Sequence, residues 1–385
     1  MDIKHRIDKL APEFVTWRQH LHAHPELAFE EKQTAAFIAG KLREFGLEVH
    51  EGIGGTGVVG VLRRGNGPMV GLRADIDALP IVEATGLSYA SQTQGKMHAC
   101  GHDGHTAMLL GAARVLSEAP PENGSVAFIF QPAEENEGGG KAMVEDGLFK
   151  DFPAASVYGM HNWPGLPAGQ FAVHAGPVMA AFDTFEVIVE GQGSHGAMPH
   201  QGIDPIAVST QLYQAWQLIV SRSVSPTDAA VISVTQIHAG DTWNVVPATV
   251  TLRGTVRTLR PETRDMIEKR MAERADLISR AFGARAQFHY LRRYPATINT
   301  VAEAETARLA AETANSAVLT DLAPSMASED FSYMLQEKPG AYIWVGNGPA
   351  ENGHNLHSPR YDFNDAILPI GVEYWARLAY RVLST

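Results

Sequence analysis

Hydrophobic positions along the chain follow two rhythms. Up to about Phe45 they recur at helical spacing, broken by HAHPELAFEE at 22–31. Short β-branched runs bounded by glycine then predict strands in GVVGVLRR (57–64) and MVGLRADIDALP (69–80). Small and apolar residues from Asp103 to Leu116 predict a buried helix. SVAFIFQ (125–131) and SVYGMHN (156–162) are near-continuous apolar runs, as expected of strands covered on both faces. Such alternation predicts an α/β unit with a mostly parallel mixed sheet flanked by helices.

The rhythm changes near Ala181. FDTFEVIVEGQ alternates, a helix follows over about 203–222, and AVISVTQIHAG and ATVTLRGTVRT read as strands. A charged helix over 261–282 and the strand ARAQFHYL complete the set. This β-α-β-β-α-β order predicts an inserted ferredoxin-like α+β domain over 181–294. Helix–strand alternation then resumes, with AYIWVGNG (341–348) a strand and a last helix from about Ala366. The first domain is therefore discontinuous, 1–180 and 295–385.

Composition narrows the class without naming a reaction. A chain of 385 residues exceeds one comfortable core, which agrees with two domains. Hydrophobic residues at 45% and charged residues at 19% suit a soluble globular enzyme. The net charge of −12 and the lack of a basic run argue against nucleic-acid and anionic-membrane partners. MDIKHRIDKLAPEF lacks the apolar region of a signal peptide, and no stretch approaches the roughly 18 apolar residues of a membrane span. A single cysteine forms no intrachain disulfide, so the expected setting is the cytoplasm.

That cysteine carries the first chemical signal. MHACGHDGHTAM (97–108) places Cys100 two residues from both His98 and His102, at a turn before the predicted helix. Glu134 and Glu135 follow the strand FIFQPA, His161 ends SVYGMH, and His357 lies in a loop after YIWVGNG. In an open α/β sheet, loops at the carboxyl ends of strands converge on one crevice. Thiolate, imidazole and carboxylate are all metal ligands. Taken singly, each histidine also reads as a buried structural group and the glutamates as an acidic loop. As a set at strand ends they point to a metal centre. Adjacent glutamates point in different directions, so one can bind metal while the other moves a proton.

LHAHPELAFEE, GLRADIDALPI, MHACGHDGHTAM, FIFQPAEENEGGG, GSHGAMPHQGIDPI and SMASEDFSYM resemble, in order, the aminoacylase/hippurate hydrolase group of metal-dependent amidohydrolases, which includes the plant auxin–amino acid conjugate hydrolases. The resemblance implies a catalytic domain with two divalent ions, manganese or zinc with nickel or cobalt as further options. It implies a smaller lid domain that also forms a homodimer or higher homo-oligomer. It makes Cys100 the bridging ligand, His102 and His161 ligands of one ion, Glu135 and His357 ligands of the other, and Glu134 the general base and acid. His195 and Asn244 would polarise the scissile carbonyl, and Arg257 would meet the substrate carboxylate. His195 also reads as the residue that holds a glycine-rich turn together, Asn244 as a turn-satisfying group and Arg257 as an exposed strand charge.

One motif departs from the wider superfamily. Arg73-Ala-Asp75 stands where more distant peptidases carry His-x-Asp, and His102 takes the place of the missing histidine. Asp75 and Asp77 then become candidates for orienting a ligand histidine, or turn-forming carboxylates, while His98 and His105 read as structural or supporting. The expected reaction is hydrolysis of N-acyl amino acids by metal-activated hydroxide. An exopeptidase or dipeptidase using the same steps is the alternative, and a non-catalytic binding protein on this scaffold is the remoter one.

Overall fold

The computed structural model describes residues 3–135, 137–315, 317–351 and 354–384. The chain divides into two compact units, 1–176 with 298–323 and 330–385, and 177–297 with 324–329.

The first unit is built on an eight-stranded sheet. At its centre Gly124–Gln131, Met69–Asp75, Ala154–Pro164 and Gly340–Gly348 run side by side and mutually parallel. Nearly every residue of these four strands is buried, which is why their sequences are apolar without alternation. Gly57–Arg64 and Glu48–Ile53 continue one edge antiparallel, and the two-residue strands Phe171–Ala172 and Val318–Leu319 extend the other. The helix His102–Glu118, which begins one residue before the predicted Asp103, packs against Ile3–Ala23 and Leu368–Leu383. Phe14, Met108, Leu109, Phe128 and Trp375 lie in the resulting core. Parallel strands put all their carboxyl ends on one edge of the sheet. Asp75, the Glu134–Glu135 turn, His161 and the segment leading to His357 all follow from that edge.

The second unit is a four-stranded antiparallel sheet. Its spatial order is Ala230–His238, Thr249–Thr258, Ala181–Glu190, Arg285–Arg292. Numbered along the chain this is 2-3-1-4, the ferredoxin-like order. The strand Ala181–Glu190 alternates buried and half-buried residues along its length, so its pattern is legible where the parallel strands are not. Helices Pro205–Ser223 and Pro261–Ala281 cover one face through Leu212, Trp216, Ile219 and Met271. Asp204 caps the first helix by accepting from the amides of Ile206 (2.8 Å) and Ala207 (3.4 Å), with Pro205 at the first helical position. Such a cap contributes about 1 kcal/mol. Segment 324–329 joins this unit through backbone bonds from Ala180 to Ser325 and Ala327, a return that the sequence rhythm does not announce. No helix of the described residues is long and apolar enough to cross a membrane.

Candidate metal centre

Gly101 determines how the first donors are presented. Its φ of +94° suits glycine, and a Cβ there would lie 2.3 Å from Asn162 Nδ2 and 2.6 Å from the Tyr361 hydroxyl. This turn delivers Cys100 and His102 to the start of the helix His102–Glu118. Cys100 Sγ lies 3.4 Å from His161 Nε2, both buried.

The hydrogen bonds of each histidine identify which nitrogen can bind a cation. His102 Nδ1 faces the carbonyl oxygen of Asp77 at 2.9 Å and Asp77 Oδ1 at 3.2 Å, so it carries the proton. Its Nε2, buried and without a hydrogen-bond partner, is the position where a second proton or a metal ion would sit. His161 Nδ1 donates to the carbonyl of Asn162 at 2.6 Å, which likewise leaves Nε2 as the donor atom facing Cys100. His105 differs: its Nε2 accepts from the Asn162 amide at 3.0 Å, so Nδ1 bears the proton and donates to Asp75 Oδ1 at 2.6 Å. Both nitrogens of His105 are therefore engaged by protein, although it stands among the donors.

Glu134 and Glu135 occupy a turn after Ala133, whose φ of +52° is uncommon for a residue with a side chain. One carboxylate oxygen of Glu135 lies within 4.8 Å of both Cys100 Sγ and His357 nitrogen, while Glu134 and Glu135 together reach the same distance of His102. His357, also at positive φ (+62°), brings Nε2 to 3.1 Å from Glu135 Oε1. The two stand at ion-pair distance, and Glu135 Oε1 is itself buried. Asp77 ties two parts of the site together, holding His102 through Oδ1 and accepting the Glu135 amide through Oδ2 at 3.0 Å. Asp75 is engaged by His105 and by Arg73 Nη1 at 2.9 Å, and its Oδ2 is 3.7 Å from His102 Nε2. The Arg73 guanidinium also meets Gln131 and Asp330, so this buried arginine serves as a structural counter-ion to Asp75.

The electrostatics fit a cation. Burial, with Glu135, Glu134 and Asp75 nearby, pushes the Cys100 thiol well above its ordinary value, so only a strong local positive charge can hold a thiolate there. Burial also works against charge on His102, yet Asp75 and Asp77 outweigh it and raise its pKa to about 10, so the carboxylates that favour a proton on Nε2 equally favour a metal ion in its place. His161, buried and beside His105, is held well below its ordinary value and neutral. Soft and hard donors, two unmatched buried donor atoms and excess carboxylate form a set that a pair of divalent ions would satisfy.

Glu31 had no assigned role in the sequence. It is buried, and its carboxylate accepts from the Ala133 amide at 2.9 Å and from the Thr56 hydroxyl at 2.5 Å. It thereby fixes the strained residue next to Glu134. Glu31→Ala is expected to lower kcat about 10-fold or more with little change in KM, as outer partners of metal sites commonly do. Glu31→Gln keeps an acceptor for Ala133 and should retain most activity. Equal losses in steady-state assays of the two variants would assign the effect to charge instead.

His195, Asn244 and Arg257 belong to the second unit. Ser194–His195 pairs with Val245–Val246, and Gly196 donates to the carbonyl of Asn244 at 2.7 Å, so His195 and Asn244 share one short ladder. His195 Nδ1 accepts from the Ala197 amide at 3.0 Å, which puts the proton on Nε2 of this exposed ring. Arg257 donates to Ser328 Oγ at 3.0 Å and stacks over Phe182, its guanidinium carbon 4.1 Å from the ring centroid. Among the described residues it has no carboxylate within ion-pair distance.

An α/β unit with such donors at its strand ends, in a chain that also carries a ferredoxin-like unit, has the plan of a metal-dependent hydrolase. The model of peptidase family M20/M25/M40 matches residues 71–381. The chain is 42% identical over 381 residues to N-acetyl-L-cysteine deacetylase of Bacillus subtilis (strain 168), covering 98% of this chain and 90% of the relative. It is 41% identical over 386 residues to hippurate hydrolase of Campylobacter jejuni subsp. jejuni, covering 100% of both. The crystal structure of the YXEP protein of Bacillus subtilis, a dinuclear metal binding peptidase from the M20 family, matches with a TM-score of 0.87 at 35% identity, covering 98% of this chain and 99% of that one. The chain belongs to peptidase family M20/M25/M40, in its aminoacylase/hippurate hydrolase group.

Proposed function

We propose that the chain hydrolyses the amide bond of N-acyl amino acids, such as N-acetyl or N-benzoyl derivatives, to a carboxylic acid and a free amino acid. The observation that carries this reading is the convergence of Cys100, His102, Glu135, His161 and His357 beside a second carboxylate, Glu134. In this reading the five residues hold two divalent ions, manganese or zinc with nickel or cobalt as further options. Cys100, His102 and His161 would hold one ion, and Cys100, Glu135 and His357 the other. The ions supply Lewis acidity for the amide carbonyl and bring the pKa of water toward neutrality.

The remaining work falls to side chains. Glu134 takes the proton of the attacking water and passes it to the leaving nitrogen. His195, a donor through Nε2–H, and the Asn244 amide stabilise the developing oxyanion. Arg257, free of any carboxylate partner among the described residues, pairs with the substrate carboxylate. The protein acts as a cytoplasmic homodimer or higher homo-oligomer in which each second unit serves its neighbour's site.

Chelation is expected to abolish turnover, and manganese or zinc to restore it. A panel of N-acetyl and N-benzoyl amino acids assayed beside dipeptides tests the substrate class. Faster cleavage of dipeptides would assign an exopeptidase, and full activity after chelation would end the metal reading.

A further inference from the structure

We propose that Asn162 is a positioning residue that sets the spacing of Cys100 Sγ and His161 Nε2. The inference rests on the reading of those two side chains as metal ligands. Asn162 is fully buried and uses every polar group it has. Its carbonyl accepts from His161 Nδ1 at 2.6 Å, fixing the plane of that ring. Its Nδ2 donates to the carbonyl of Cys100 at 2.7 Å. Its amide N–H and Nδ2 both lie 3.0 Å from His105 Nε2. Its Oδ1 accepts from the Tyr361 hydroxyl at 2.6 Å.

One residue thus grips the peptide of Cys100, the ring of His161, the histidine that orients Asp75, and the segment that follows His357. Close packing supports the same role. Gly101 leaves only enough room for Asn162 Nδ2 and the Tyr361 hydroxyl to lie against the turn. The thiol and imidazole come from a loop and a strand 61 residues apart, and the Asn162 side chain is the direct hydrogen-bonded link between their backbones. Removing the side chain keeps the backbone bond to His161 Nδ1 but frees the Cys100 turn, with the Cys100 carbonyl and the Tyr361 hydroxyl losing a buried partner.

The test is cobalt titration of the metal-stripped full chain, followed by thiolate-to-cobalt charge-transfer absorption. Asn162→Ala is expected to bind cobalt about 10- to 100-fold more weakly, with a shifted and weakened band. Tyr361→Phe removes one of the bonds to Asn162 and should shift the band the same way by less, which keeps the test decisive if Asn162→Ala does not fold. A purely structural role would lower the melting temperature of the stripped protein while leaving band and affinity unchanged, and that result overturns the proposal. A wild-type protein that takes up cobalt without a band dependent on Cys100 overturns the ligand reading itself, so the two failures are told apart.

Discussion

Glu134→Gln is expected to keep its metal and lose hydrolysis by about 10²- to 10⁴-fold, the usual contribution of a general base. The amide is nearly isosteric with the carboxylate, so the turn after Ala133 is not disturbed, but it cannot accept a proton from water. The neighbouring substitution separates the roles. Glu135 Oε1 is buried, 3.1 Å from His357 Nε2 and close to Cys100, the surroundings of a ligand. Glu135→Gln should therefore lose metal as well as activity. Metal analysis of both purified variants, alongside kcat on one N-acyl amino acid, checks the pair. Metal loss in Glu134→Gln with full retention in Glu135→Gln would exchange the two assignments.

The five candidate ligands and Glu134 were visible in the sequence because each follows a strand or opens a helix, and topology brings such positions to one edge. Their supporting residues were not visible. Asn162 is an ordinary polar residue at the end of an apolar strand, and its bonds run to Cys100, His105 and Tyr361, far apart along the chain. Arg18 shows the same limit. It sits on the helix Ile3–Ala23 with no spacing signal, yet it is fully buried, 3.3 Å from Asp103 and donating to the carbonyl of Phe363. Contacts closed by the fold leave no periodicity to read. The histidines of MHACGHDGH were equivalent as letters. The family resemblance singled out His102, and the hydrogen bonds supply the physical reason: His102 Nε2 is unbonded while both nitrogens of His105 are engaged. The short strands Phe171–Ala172 and Val318–Leu319 escaped because two residues cannot display a period.

His195→Ala is expected to cost about 10²- to 10³-fold in kcat, the scale of removing one oxyanion donor. The tautomer argues for this role, since the Ala197 amide occupies Nδ1 and leaves an exposed Nε2–H to donate. A histidine that merely held its turn would act through Nδ1 alone. Asn244 lies beside the same two-residue ladder, bonded to Gly196, so the two donors are presented together. The sheet of this unit ends in the strand Ala230–His238, paired on one side only among the described residues. Ile237 on that strand and Ile206 and Tyr213 on the adjoining helix are exposed apolar residues, a poor match for water. Pairing of two such edges would bury them, an interface that suits the proposed homodimer. Mixed dimers of His195→Ala and Glu134→Gln test whether each second unit serves its neighbour's site. Delivery across the interface gives one of the two sites both a base and a histidine, so activity returns in heterodimers of two nearly inactive variants. Delivery within a subunit leaves one defect in every site, and verified heterodimers would then stay as inactive as their parents.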